Sequence, residues 1–297
     1  MKVTSAELKS RAKITLTGHY GLCIGAQFLV SFLMLLAMAV YSFAVVWNII
    51  SSLDYGFGYR PYASGAGLVG IIAFLPLLYL IMAVLQVMSA GVKKMYINIS
   101  AGEGAGIGDI FYGYTHKMHR FIGYYFITIL ANLILQIPYI ILSVIPLFSG
   151  VNALLISGLA QLAYIFELVG VIIFNLFFSQ TILLMLDDTE LGVIPAMKES
   201  ARLMKGHKGD LFYLYFSFIG VMCLGVLTFG IGFLWLTPYR ECTVVHFYLE
   251  LREEDMRMRR QEYGYPGMME NGGYEMPDYQ AMGEMGLENQ GDSETFS

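Results

Sequence analysis

Glu167 is the only charged residue between Phe121 and Leu186. At 100° per residue, Tyr164, Gln161, Asn175 and Ser179 fall within about 120° of it, so a helix through this stretch carries a polar stripe. Thr128, Asn132 and Gln136 repeat at i, i+4, i+8 in the preceding apolar run, as do Cys23, Gln27 and Ser31 in the first. Such stripes turn toward protein or water. An isolated carboxylate deep in an apolar phase is costly, so Glu167 is expected to be protonated, paired with a base, or lining a hydrated path. Arg240 and Glu241, after Pro238 in another apolar stretch, are the nearest charges of comparable depth. They point about 100° apart on a helix and are not expected to share one partner. The expected contact is Glu167 with Arg240. The candidate intramembrane polar site is therefore Glu167, Arg240, Glu241, Gln161, Asn175, Asn132 and Gln136, suited to dry structural pairing or to binding and moving a solute.

A second candidate is basic. Lys198, Arg202 and Lys205 recur at i, i+4, i+7, with His207 and Lys208 just beyond. A stripe of this kind faces anionic lipid headgroups, at about 1 kcal/mol per basic residue near the surface. Other clusters are weaker. His116 and His119 have i, i+3 spacing without a third ligand, and Gly102 to Gly108 lacks the Lys-Ser/Thr ending of a phosphate loop. Asp187, Asp188 and Glu190 read as a solvated helix terminus more readily than as a metal site. Cys23, Cys223 and Cys242 stand singly in apolar stretches and read as small buried side chains. No catalytic residues, metal or cofactor are assigned, and no enzymatic activity is expected.

The elements that position these residues follow from the chain's solvent. It is 57% hydrophobic and 14% charged, with a mean hydropathy of +0.60, too apolar for water. Its net charge of −5 gives no footprint for nucleic acid. A bilayer core about 30 Å thick needs about 20 helical residues. By that measure the spans lie at about 21–50, 65–92, 121–147, 153–186, 211–229 and 233–251. A kink or early end is expected at Pro138 or Pro146, a break at Ser149 to Asn152, and another at Thr228 to Gly232. The aromatic link from Ser51 to Tyr62 suits the headgroup layer. The sixth span contains Arg240 and Glu241, and hydropathy alone rejects it. It is retained because six spans place sixteen of the eighteen lysines and arginines on one side, which the positive-inside rule makes cytoplasmic. Both termini are then cytoplasmic, the protein is a multi-pass protein of the cell membrane, and the first helix is an anchor instead of a cleaved signal.

A short basic helix is expected before each helix pair, at Glu7 to His19, Phe111 to Arg120 and Pro195 to His207. The first and third share Leu/Met-Lys-x-x-Ala-Lys/Arg and end in Gly-His. Three cassettes of basic interfacial helix plus transmembrane hairpin are therefore expected. From Gln261 to Ser297 there are eight acids and no bases, so residues 256–297 are expected to be a disordered acidic cytoplasmic tail with room for a protein partner's docking motif.

Two stretches, Ala196-Met-Lys-Glu-Ser-Ala-Arg-Leu-Met-Lys-Gly-His-Lys208 and Leu227-Thr-Phe-Gly-Ile-Gly-Phe-Leu-Trp-Leu-Thr-Pro-Tyr239, resemble the bacterial membrane family called domain of unknown function 975. The likeness extends more loosely to Gly91 through Phe126 and to Leu8-Lys-x-x-Ala12, covering most of residues 1–255. The chain departs from the family in reading Ile145-Pro-Leu where Ile-Pro-Gly is usual, and in a longer segment before Glu167. That family is similar in turn to the membrane domain of some glycerophosphodiester phosphodiesterases, which implies a helical membrane module without a catalytic domain. The overall expectation is an all-α integral membrane protein acting as a non-enzymatic scaffold or envelope-associated accessory, with membrane lipids as partners. The alternative is a small-solute or lipid transporter using the Glu/Arg site.

Overall fold

The computed structural model describes residues 4–54, 63–148 and 153–262, and contacts divide the chain into a unit of residues 1–256 and one of residues 257–297. The described residues are mostly helical, joined by short turns and loops, with no strand among them. The helices are α1 (Ser5–Leu16), α2 (Tyr20–Asp54), α3 (Ala63–Ser100), α4 (Tyr112–Thr115), α5 (Met118–Phe148), α6 (Ala153–Phe178), α7 (Thr181–Asp187), α8 (Val193–Leu203), α9 (Lys208–Phe216), α10 (Ile219–Leu227) and α11 (Phe233–Glu262). A 3₁₀ turn, Ile107–Phe111, precedes α4.

Five stretches are long and apolar enough to cross a bilayer: Tyr20–Trp47, Leu75–Ser100, Met118–Ile145, Leu155–Asp187 and Lys208–Leu227. Their surfaces explain why. Phe28, Phe32, Leu35, Leu36, Val40 and Phe43 on α2 are exposed, as are Leu130, Ile134, Ile137 and Ile141 on α5. The most apolar window of the Met118–Ile145 stretch contains no buried residue at all. Water does not tolerate apolar area of this extent, so lipid must cover it.

The packed interior lies at one end of the bundle, the end that carries α1 and α8, called here the basic end. It takes Leu8, Ala12 and Leu16 from α1, Cys23 and Ala26 from the start of α2, and Val87, Val92, Met95 and Tyr96 from the last turns of α3. Leu183 to Leu186 of α7, Ala196 and Leu203 of α8, and Cys242, Val245, Phe247 and Tyr248 of α11 complete it. The helices meet in antiparallel neighbours. α2 packs on α3 and α5 on α6. Tyr139 lies 5.8 Å from Tyr164 between ring centroids, and the Tyr124 hydroxyl donates to the Phe178 carbonyl at 3.1 Å. Likewise Phe218 meets Tyr239 at 5.5 Å, and Gly225 lies so close to Phe233 that an added Cβ would stand 3.2 Å from its ring, which runs α9 and α10 alongside α11.

Several expectations are corrected. α3 does not stop near residue 92 but continues to Ser100, carrying Lys93 and Lys94 inside the helix. α5 passes Pro138 and Pro146 and ends at Phe148. The fourth stretch breaks at Ser179–Gln180, and the fifth at Ser217–Phe218. Phe111 to Arg120 is not one helix: Lys117 adopts a left-handed φ of 52° between α4 and α5, which takes His116 and His119 off a common face. Cys223 is exposed, not buried, because its helix face is turned outward. α11 runs through the expected boundary at residue 255, so residues 256–262 are helical, and acids at 253 and 255 followed four places on by Arg257 and Arg259 favour that continuation. The turn at Thr228 to Gly232 forms as expected, with Gly230 at φ 90° and the Gly232 amide donating to Thr228 Oγ1 at 2.9 Å. The break at Ser149 to Asn152, most of the link from Ser51 to Tyr62, and the tail beyond Glu262 lie outside the described residues.

Candidate functional site

The polar residues of this chain converge on α11. Its first turns carry Arg240 and Glu241, and Glu241 accepts from both Arg240 Nη2 at 2.8 Å and Lys93 Nζ of α3 at 3.0 Å. One turn further, Thr15 of α1 contacts His246 Nε2 at 2.9 Å, and Arg11 pairs with Glu250 at 3.3 Å. The fully buried Tyr248 donates its hydroxyl to Asp187 Oδ2 at 2.5 Å, and Arg252 reaches the same carboxylate at 3.4 Å. Asp255 then takes both arms of the Arg202 guanidinium at 2.8 Å each. A planar fork on a carboxylate gives directional pairing, and Glu199 adds two more bonds to the same Arg202. The hydrogen bond that Glu199 accepts, then that which Asp255 accepts, holds the Arg202 proton more tightly than usual.

Two further residues join helix ends. Arg120, 4% exposed at the start of α5, donates to the carbonyls of Leu191, Asp188 and Met185 at 2.7, 3.2 and 3.4 Å. Two of these carbonyls lie where α7 stops and the third in the loop before α8, and a buried guanidinium satisfies all three at once. Ser200 of α8 donates to the Phe177 carbonyl at 2.9 Å and accepts from the Gln180 amide at 3.2 Å. It therefore bridges the break between α6 and α7.

The sequence-derived site is only partly assembled. Arg240 is paired with Glu241, its own neighbour, and among the described residues no ion pair joins it to Glu167. The two adjacent charges were not expected to share one partner, and none is shared: they bond to each other, and Lys93 pairs with Glu241. Glu167 Oε2 is buried without a hydrogen-bond partner. Asn132 and Asn175 donate to Thr128 and Val171 of their own helices at 2.8 and 2.9 Å, while Gln161 is exposed and Gln136 half-buried. Such i−4 bonds satisfy an amide within its own helix, so these stripes do not converge on a cavity.

The basic stripe is divided in the same way. Lys198 and Lys205 are exposed, but Arg202 is engaged by Asp255 and Glu199. His207 lies 3.3 Å from Asp210 and 3.9 Å from Glu254, and Lys208 Nζ sits 3.2 Å above the Phe177 ring. The acids at 187–190 also part company. Asp188 Oδ1 accepts from the amides of Glu190 and Leu191, while Glu190 pairs with Lys117. Sequence reasoning missed Lys93, Tyr248 and Asp255, and read Asp187 as part of a solvated helix terminus where it is the partner of Tyr248 and Arg252. Lys93 had a signal, since with Lys94 it directly follows the charge-free run that ends at Val92.

Helices with lipid-facing flanks, clamped at one end by a polar seam, define an all-α membrane protein. Within that class, the family model described as Protein of unknown function (DUF975) matches residues 1–255, and the chain belongs to that family. Both quoted stretches fall inside the match, one forming α8 and the start of α9, the other the turn into α11. No curated protein and no solved structure matches the chain.

Proposed function

We propose that the protein is a non-enzymatic structural module of the cell membrane, a scaffold or envelope accessory with six crossings and both ends cytoplasmic. The observation that carries this reading is how the charged side chains are used. Lys93, Arg11, Arg120 and Arg202 each tie one helix to another, α3 and α1 to α11, α5 to the end of α7, and α8 to α11. Side chains engaged in this way hold a platform in shape.

The antiparallel pairing of α9 and α10 with α11 supports the sixth crossing. If residues 208–227 traverse the bilayer, the helix that runs back beside them traverses it too. From Phe233 to Leu251 it covers about 28 Å at helical rise. Its charges are tolerable because Glu241 and Lys93 meet inside the protein. α1 lies against residues 242–250, which puts the N-terminal helix and the C-terminal part of α11 at the same end. The concentration of lysine and arginine there supports a cytoplasmic orientation. Exposed Lys198 and Lys205 are the headgroup anchors, and the acidic tail is the partner segment.

The experiment is electrical. In proteoliposomes on a solid-supported membrane, jumps of sodium, potassium, proton, phosphate or amino acid should give the current of empty liposomes. A saturable protein-dependent current abolished by Glu241→Gln would replace the scaffold with a transporter.

A further inference from the structure

The group of Lys93, Arg240 and Glu241 holds two cations on a single carboxylate. Among the described residues no second acid pairs with either base, so the cluster keeps one positive charge on two helices whose residues nearby in sequence, Val92, Met95, Leu236 and Val244, are buried. It is not sealed. The side chains of Lys93 and Arg240 are 24% and 33% exposed, and that of Glu241 is 19% exposed. Its donors are also unspent. Arg240 gives one hydrogen bond, from Nη2, and its Nε is buried with no partner. Lys93 gives one of three. Tyr96, three residues on and therefore on the same face of α3, has a buried hydroxyl with no partner.

Charge left over at low dielectric is expensive, and a ligand with one negative charge and several acceptor oxygens removes the cost. A carboxylate has two oxygens and is already represented by Glu241; a phosphate ester offers more acceptors to a lysine, an arginine fork and a phenol. We propose that Lys93, Arg240 and Tyr96 bind one phosphate-type anion at the α3–α11 seam, with Glu241 as the internal group that competes for the same cations. The chemistry is shared by a phospholipid headgroup and by free phosphate. The proposal is independent of the scaffold reading, since it concerns binding and not movement.

The test uses the full chain in neutral phosphatidylcholine nanodiscs, with phosphatidylglycerol or inorganic phosphate as the probe. Bound lipid is counted by native mass spectrometry, and bound phosphate is read by isothermal titration. One phosphatidylglycerol or one phosphate per chain is expected. Lys93→Gln with Arg240→Gln should weaken it about thirtyfold, the product of two basic contacts. Lys13→Gln, at an exposed lysine of α1 away from the seam, should leave it unchanged. Glu241→Gln should tighten it, a direction that a purely structural triad does not give. Should the double variant fail to fold, Glu241→Gln and wild-type stoichiometry still decide. Selective retention of the lipid assigns the site to a headgroup, and binding of phosphate alone assigns it to the free anion. Binding of neither, or binding indifferent to Lys93, Arg240 and Glu241, overturns the proposal.

Discussion

Arg120 and Glu167 are both charged residues near the ends of uncharged runs, and they behave in opposite ways. Arg120 is spent on three backbone carbonyls at a helix junction, so removing it loses three bonds and leaves a buried cavity of polar acceptors to satisfy. Arg120→Gln should lower the unfolding free energy by about 3 kcal/mol, measured by denaturant titration in detergent. Glu167 has one oxygen buried and unpartnered, and no described ion pair depends on it. Glu167→Gln should leave that unfolding free energy unchanged or raise it. A loss of stability matching that of the Arg120 variant would restore a charged partner for Glu167. Neither role was readable from residue type. Arg120 reads as one of a run of basic residues by a membrane end, and only tertiary contact shows that its targets are carbonyls sixty-five or more places away.

At the scale of elements, the tightest packing is between α3 and the segment before α5. A Cβ added to Gly91 would lie 2.0 Å from the Ile110 carbonyl oxygen, and one added to Gly113 would lie 2.7 Å from a Val87 methyl carbon. The 3₁₀ turn and α4 can rest on α3 only because both residues are glycine. Gly91→Ala should therefore cost about 2 kcal/mol or more. It should also make the 101–116 segment more sensitive to proteolysis in detergent, whereas Gly104→Ala, with open space around it, should do neither. The apolar helices themselves were legible, because length and hydropathy decide what lipid will accept. The breaks at Ser179–Gln180 and Ser217–Phe218 were not, since no proline or glycine marks them. They are set by partners from elsewhere: Ser200 at the first, and at the second Lys9, which donates to the Ser217 carbonyl at 3.0 Å.

For the whole molecule, the count of crossings rests on α11, which composition alone rejects and the positive-inside rule retains. In a cysteine-free background, an impermeant maleimide on intact cells should label Phe229→Cys, whose native side chain is 98% exposed in the turn before α11. Lys205→Cys and Glu253→Cys should label only after permeabilisation. Labelling of Glu253→Cys on intact cells would remove the sixth crossing. The class of protein and its family were thus readable in the chain. The seam was not, because its members are drawn from five segments whose separate patterns carry no mark of one another.

Those separations bear on how the molecule is made. Arg11 meets Glu250, Ala12 meets Cys242 and Thr15 meets His246, contacts that bridge some 230 residues. The first helix to leave the ribosome meets α3 and the Ser217 carbonyl earlier, but it lacks these three contacts until the last helix has been delivered. Insertion of the apolar spans can proceed pair by pair as synthesis advances, but the packing around Leu8, Ala12 and Leu16 of α1 stays incomplete until α11 arrives. Completion of α11 is the event that closes the structure, so a nascent chain halted before Phe233 carries an unburied amphipathic face, the kind of surface that quality-control proteases and chaperones recognise.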